Sequence, residues 1–359
     1  MMKIIHRYIL WDLLASFAIS LVALNMVLMS ETVMRTSLMF AHVGASALDM
    51  ALVVALIQPQ TAVYTIPLAL MVSIMMTYGR LNASSELTVL RTSGMSLHSL
   101  ARPAMLLSLA CLVTGLLMSS LIGPVAARKN NAHIKNIITT RAPYAIEEGV
   151  FTTAFRDVVI FVERKNGPDS IEGVFIHDSR DHSRPSVITA SQGRVGSTDG
   201  INMQLTLTDG TMHLSQGTTL TDIAFEHYVM EIPIETKITR HKLLTAEMTP
   251  FELMREAPSM KDERSRFFAV MELYRRFTLP LMSICVAFFS IPLSFRAGRT
   301  GKLGGIALGM GMVVAFYVLS SSMESLYMSG SIPSVASGWA PLITLGAASL
   351  YLYMREARR

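Results

Sequence analysis

The sequence predicts a membrane α-helical protein: six transmembrane helices, arranged three and three, with an all-β domain of sandwich or jelly-roll type inserted between the halves. Three observations predict it. Six apolar runs each approach the ~20 residues that a helix needs to cross a bilayer. A polar stretch from about Arg128 to Arg266 separates them into two sets of three and is rich in β-branched and aromatic residues. Lys and Arg in the short connections fall almost wholly on one side. The first half therefore covers residues 1–127, the β domain with its connecting helices 128–266, and the second half 267–359.

Composition agrees. Hydrophobic residues make up 51% of the chain and charged residues 16%, against the ~25% charged of a soluble domain. The net charge of +5 does not indicate nucleic-acid binding, because the basic residues sit in loops beside apolar runs rather than in one patch. Cys111 and Cys285 both lie in apolar runs and the insert has none, so neither a disulfide framework nor a cysteine-rich zinc site is expected. Lys3 to Arg7 resembles the start of a signal peptide. The apolar run that follows continues to about Ser30 with no small-residue cleavage site, which fits a retained helix.

The spans are expected at about Ile9–Met29, Met50–Tyr78, Ala104–Ile122 (closed by Gly123-Pro124), Phe277–Phe295, Leu303–Met328 and Val335–Met354. The second carries Pro59 and Pro67, so it either kinks and tilts or lays its first turns along the membrane surface. Lys3, Arg7, Arg80, Arg91, Arg102, Arg296, Arg299, Lys302, Arg355, Arg358 and Arg359 fall on one side, against Arg35 in the short loops of the other. Both termini are then cytoplasmic and the insert faces outward.

In the insert, Val158–Val162, Val174–His177 and Ser186–Ala190 read as strands. Met203 to Thr208 alternates, and Asp209-Gly210 reads as a hairpin turn into Thr211–Leu214. Further turns are expected at Asn166-Gly167-Pro168-Asp169 and Arg184-Pro185, with at least seven short strands in all. Thr249-Pro250-Phe251-Glu252 is a capping box that starts a helix returning to the membrane.

The loop Gly79–His98 carries the sharpest functional signal. Ser84 or Ser85 caps a short helix and Gly94 ends it; Leu87 and Leu90 share one face, with Glu86 and Arg91 presented elsewhere. Such a helix suits docking into a soluble motor, or simply lies at the interface.

Here the residues meet a known family. Met76-Thr77-Tyr78-Gly79-Arg80-Leu81, Ser85-Glu86-Leu87-Thr88-Val89, Ser93-Gly94-Met95-Ser96, Arg184-Pro185-Ser186-Val187 and Pro292-Leu293-Ser294 resemble the lipopolysaccharide-export permeases LptF/LptG (also called YjgP/YjgQ). The likeness runs from Arg7-Tyr8 to the last span and leans towards LptF. It implies a periplasmic jelly roll in a protein of the bacterial inner membrane. The partners it implies are lipopolysaccharide, a second LptF/LptG-type permease, a cytoplasmic LptB-type ATPase dimer and periplasmic jelly-roll proteins of the LptC/LptA type. No cofactor is expected on this chain, ATP being bound by the partner. The resemblance assigns coupling to the ATPase to Glu86, Leu87, Leu90, Arg91, Ser93 and Gly94, with Glu86 the important carboxylate.

Three arginines are candidates for lipid phosphate: Arg35 beyond the first span, and Arg275 and Arg276 beside Glu272 at the outer start of the fourth. The same residues also suit interfacial anchoring. In the fifth span Gly305 and Gly309 permit close helix contact, and the resemblance makes this helix part of a lateral gate. Glu324, further along it, must face protein or a wet cavity. Asp12 is a helix-start charge or an interfacial contact. Gly298-Arg299-Thr300-Gly301-Lys302 fails the phosphate-loop pattern. No nucleophile has a base beside it, so the chain is not expected to be an enzyme. Two other readings fit less well: a lever-type permease acting on soluble substrates, usually a four-span design, and a membrane-anchored scaffold, which has no use for a motor-docking helix.

Overall fold

The computed structural model describes residues 2–40, 46–145, 148–155, 157–167, 169–180, 185–198, 202–216, 219–233, 245–260, 262–296 and 301–358. In chain order the elements are α1 (Met2–Phe40), α2 (Ala47–Ala83), α3 (Glu86–Thr92), α4 (Leu97–Leu117), a π-helical turn (Met118–Ile122) and α5 (Gly123–Ala145). Then come β1 (Thr152–Phe155), β2 (Val158–Lys165), β3 (Ser170–Asp178), β4 (Ser186–Thr198), β5 (Asn202–Gln216) and β6 (Thr219–Pro233). Finally α6 (Pro250–Glu256), α7 (Glu263–Arg296), α8 (Gly301–Met328) and α9 (Ser334–Ala357). Two compact units result: one of residues 1–31, 57–127 and 241–359, the other of residues 32–56 and 128–240.

Six helical stretches among the described residues are long and apolar enough to cross a membrane. This is a multi-pass membrane protein with an inserted β domain. The helices outrun the expected spans, because a backbone leaving the hydrocarbon keeps its helical hydrogen bonds for as long as the sequence allows. Gly123-Pro124 does not end the third span. The helix widens into the π-helical turn and continues as α5: proline removes one N–H, and a wider turn accommodates the break without stopping the helix. Pro59 and Pro67 likewise stay inside α2.

The first unit packs α1, α2, α4 and α7 around Ile9, Leu13, Leu70, Ile74, Tyr78 and Leu100. Buried hydroxyls hold the seams: Ser73 donates to the Leu13 carbonyl at 2.7 Å and Tyr78 to that of Leu100 at 2.7 Å. The capping box at Thr249 forms in both directions: the Glu252 backbone N–H donates to the Thr249 hydroxyl, and the Thr249 backbone N–H donates to the Glu252 carboxylate.

In the second unit six strands among the described residues lie in sequence order in one antiparallel sheet; they are longer than the short strands expected. Inward residues of β2, β3, β4, β5 and β6 form a single core. The sheet curls to do this. Arg180, two residues past β3, donates to the Glu231 carbonyl of β6 at 2.8 Å, although three strand spacings separate those strands in a flat sheet. Arg180 is itself steered by Asp178, at 2.5 Å. Burial alone would raise the Asp178 carboxyl, but bonds from the Arg180 guanidinium and backbone N–H outweigh it and hold the group below the ordinary carboxylate range.

A crease crosses this sheet. The pairing register is continuous between neighbouring strands but skips one position in each: Glu163, Gly173, Ser191, Asp209 and Glu226 form an unpaired row. Gly173 and Asp209 have φ of +63° and +52°, which re-aims the strand. On crossing the row, the inward positions change parity: Ile171 to Val174 in β3, Ala190 to Val195 in β4, Leu207 to Met212 in β5, and Phe225 to Tyr228 in β6.

This corrects the hairpin expected at Asp209-Gly210. The pair sits in the middle of β5, and the glycine serves close approach rather than reversal: a Cβ on Gly210 would collide with the Thr189 carbonyl and the Phe225 ring. The turn at 166–169 does join β2 to β3, with the Asn166 N–H donating to the Ser170 carbonyl at 3.0 Å; Pro168 and Arg184 lie outside the described residues. Gly210→Val should cost the β domain about 1–3 kcal/mol. Gly196→Ala, where the nearest neighbour is the Gln204 carbonyl at 3.9 Å, should change stability by a few tenths at most. Urea unfolding followed by protection from proteolysis compares the two.

Candidate functional site

The first candidate region is the α3 loop. α3 begins after Ser85, which has φ of +59°, and ends in a Schellman arrangement. Gly94, at φ +89°, donates to Arg91, and the Met95 N–H reaches back to Leu90. Leu87 is buried and Leu90 half-buried in the core of the first unit. These two leucines therefore anchor the helix and offer little surface to another protein. Arg91 lies 5.8 Å over the Phe295 ring of α7. The Glu86 carboxylate accepts from Ser84 at 2.8 Å and from Tyr8 of α1 at 3.4 Å. What faces outward is Thr88, Val89, Thr92, Ser93 and Gly94. Val89, at 63% exposure, belongs to the quoted motif but not to the residues expected to couple; its place beside inward-facing Leu87 and Leu90 on a seven-residue helix was the available signal.

The end of α2, which leads into α3, is tied to two neighbouring helices. Arg80, at the end of α2, pairs with Asp12 of α1 at 2.7 Å, so Asp12 is an interhelical ligand. Asn82 donates to the Phe295 carbonyl of α7 at 3.2 Å. The contacts of α3 itself are those of Glu86 with Tyr8 of α1 and of Arg91 with Phe295 of α7. Residues 297–300 and the side chains of 301–307, which include the rejected phosphate-loop motif and Gly305, lie outside the described residues.

The second candidate region is polar and lies among α2, α7 and α8. Arg275 grips Glu324 with both ends of its fork, through Nε at 3.0 Å and Nη2 at 2.7 and 2.6 Å. The pair lines a cavity of about 210 Å3 with Tyr64, Tyr274, Ser320 and Ser321. Glu324 thus faces protein and a polar cavity, as an ionisable residue in a span must. Arg276 is 2% exposed. Its Nη2 donates to the carbonyls of Thr245 and Ala246, each at 3.2 Å, and its Nε to Glu272 at 3.3 Å. Its Nη1 has no partner among the described residues. A cavity of about 160 Å3 adjoins it, also lined by Gln60, Tyr64, Ser119 and Glu272. Cavities of this kind, with polar walls, hold water.

The structure thus treats the three arginines differently. Arg275 and Arg276 are held by Glu324 and by Glu272 with the carbonyls of Thr245 and Ala246, and are half-buried and buried respectively; Arg35, in the second unit, is exposed and also makes contacts of its own. Gly309 is buried against Met71 and Met75 of α2, an intrachain contact; the outward residues beside it are Leu308 and Met310.

Comparison with known proteins decides the family. The sequence model of the family described as "Lipopolysaccharide export system permease LptF/LptG" matches residues 7–355. The chain belongs to the LptF/LptG family. Among its relatives is the protein named "Lipopolysaccharide export system permease protein LptF" of Escherichia coli K12, 25% identical over 270 residues, which is 74% of this chain and 72% of the relative. The protein of the same name in Shigella flexneri matches to the same extent. An uncharacterised protein of Rickettsia prowazekii is 25% identical over 150 residues, 42% of each chain. The relatives named as LptF are thus permease subunits of a transport system.

Three hydrogen bonds make the Arg275–Glu324 pair a polar tie between α7 and α8. Glu324→Gln should lower stability by about 1–3 kcal/mol, since it strands a half-buried guanidinium, whereas Arg275→Met with Glu324→Met should recover most of the loss. Thermal unfolding of the four species in detergent checks this; additive losses would disprove the coupling.

Proposed function

We propose that this chain is a permease subunit that extracts lipopolysaccharide from the bacterial inner membrane and passes it to a periplasmic bridge towards the outer membrane. The observation that carries the reading is the family match across residues 7–355, on a chain with six candidate spans and an inserted β domain. Its termini are cytoplasmic and its β domain periplasmic, because the basic residues of the short loops lie on the side of the termini.

The chain pairs with a second LptF/LptG-type permease, and ATP is bound and hydrolysed by an LptB-type dimer that receives α3. Glu86, held by Ser84 and Tyr8, fixes the start of that helix, and Val89 with Thr92 and Ser93 forms the face presented to the ATPase. Motion enters through α3 and spreads by way of Asp12–Arg80 and Asn82–Phe295. Of the three arginines, Arg35 is the most exposed to an arriving phosphate. Arg275 would have to exchange Glu324 for the phosphate, which makes that pair a gate latch. The exposed apolar faces of α1 and α8 meet lipid and the partner permease. The curled sheet then shelters acyl chains, each methylene of which costs ~0.8 kcal/mol in water, and passes them to LptC/LptA-type domains.

The interior of the sheet supplies the test. Phe225 packs towards the core and Glu226, its neighbour on β6, is exposed. A photo-reactive side chain at Phe225 should give an ATP-dependent lipopolysaccharide adduct in membranes that hold the full exporter, and one at Glu226 should not. No adduct at either position would turn the reading towards a lever or a scaffold. The motor contact is checked separately: Val89→Glu should abolish co-purification of the ATPase, since it puts a charge at the centre of a small apolar contact, while Thr88→Ser should leave it intact.

A further inference from the structure

A groove of about 750 Å3 lies between α4 and α9, floored by Phe288 of α7. Both helices pack on α7 but hardly on each other, so the groove is where the bundle fails to close. One wall is His98, Arg102, Leu106 and Leu109 of α4; the other carries Leu350 and Met354 of α9. These residues recur at helical spacing, so each wall is one helix face.

The groove has a charged end and an apolar end. His98 and Tyr353 meet edge to face at 5.5 Å, which places the start of α4 beside the end of α9. Arg102 stands in the second turn of α4, and Arg358, four residues beyond Met354, caps α9 on the same face. Arg102 and Arg358 have no ion-pair partner among the described residues, and neither has Arg355. Nor is the charge offset nearby. α4 contains no acid, the two of α7, Glu263 and Glu272, lie in its first three turns, and the sole acid of α9, Glu356, is buried with a partner of its own. From Arg102 to Leu109 the wall is apolar for about 10 Å, within the depth of one bilayer leaflet.

We propose that this groove is a binding site for one glycerophospholipid of the bilayer with a net-negative headgroup. Its phosphate is held between Arg102 and Arg358, whose guanidinium forks match phosphate oxygens. One acyl chain lies over Leu106, Leu109, Phe288 and Leu350 and fills the gap between α4 and α9. The site selects an anionic lipid because Arg102 lines one wall and Arg358 ends the helix of the other, neither with an ion-pair partner among the described residues. The assignment is independent of the exported cargo.

Native mass spectrometry of the full chain in detergent micelles tests it, with phosphatidylglycerol and phosphatidylcholine of matched acyl chains as probes. One phosphatidylglycerol should bind about tenfold more tightly than phosphatidylcholine. Arg102→Gln with Arg358→Gln should erase that preference. Leu106→Trp fills the groove, leaves both cations in place, and should weaken phosphatidylglycerol by a similar factor; it decides the matter if the double variant loses its helical circular dichroism. Equal binding of the two lipids, a preference that survives the double substitution, or displacement of phosphatidylglycerol by equimolar lipopolysaccharide would each overturn the assignment.

Discussion

Inside a hydrocarbon layer no water is present to take up an unmet backbone N–H or C=O, and each such group left open costs several kcal/mol. Much of this structure follows from that constraint. Every apolar run closes its own hydrogen bonds as a helix, even where the sequence works against it. α2 keeps Pro59 and Pro67, α7 keeps Pro280 and Pro292, and α9 keeps Pro341. At Gly123-Pro124, where two helix-breaking residues coincide, the chain widens into a π-helical turn and stays helical. The open edges of a sheet, by contrast, are confined to the polar insert.

The same constraint explains how polar side chains are spent in the first unit. Each has a definite job between helices: Asp12 with Arg80, Asn82 with the carbonyl of Phe295, Arg275 with Glu324, and Arg276 with the carbonyls that precede α6. Three of these four ties involve α7, so it is the helix through which the α3 loop and the polar cavities near Arg275 are mechanically joined.

The spans, the capping box at Thr249, the short α3 helix and its glycine stop were legible in the sequence because each depends on local chemistry: hydrophobic length, a hydroxyl three residues before a glutamate, a left-handed residue after a last turn. What was not legible depends on distant packing. Asp209-Gly210 has the composition of a turn, and only the crowding of Thr189 and Phe225 shows why the glycine is there. Leu87 and Leu90 share a helix face in either reading; that the face turns inward, leaving Val89 outside, is set by the cluster around Tyr78 and Leu100. Arg275 and Arg276 are adjacent and look equivalent, yet one spans two helices and the other is sunk among backbone carbonyls.

The crease in the β-sheet has a consequence for how the domain tolerates change. A strand ordinarily has one reading frame from end to end: move it by one residue and every inward side chain turns outward. Here the frame is reset at Gly173, Ser191, Asp209 and Glu226, so each of these strands is two short frames in series. A slip on one side of the row disturbs the packing of that half and stops at the boundary. The lining of the curled sheet is therefore built from two segments whose side chains can be revised separately, one nearer each end of the strands, while the hydrogen-bonded ladder runs on either side of the row that divides them.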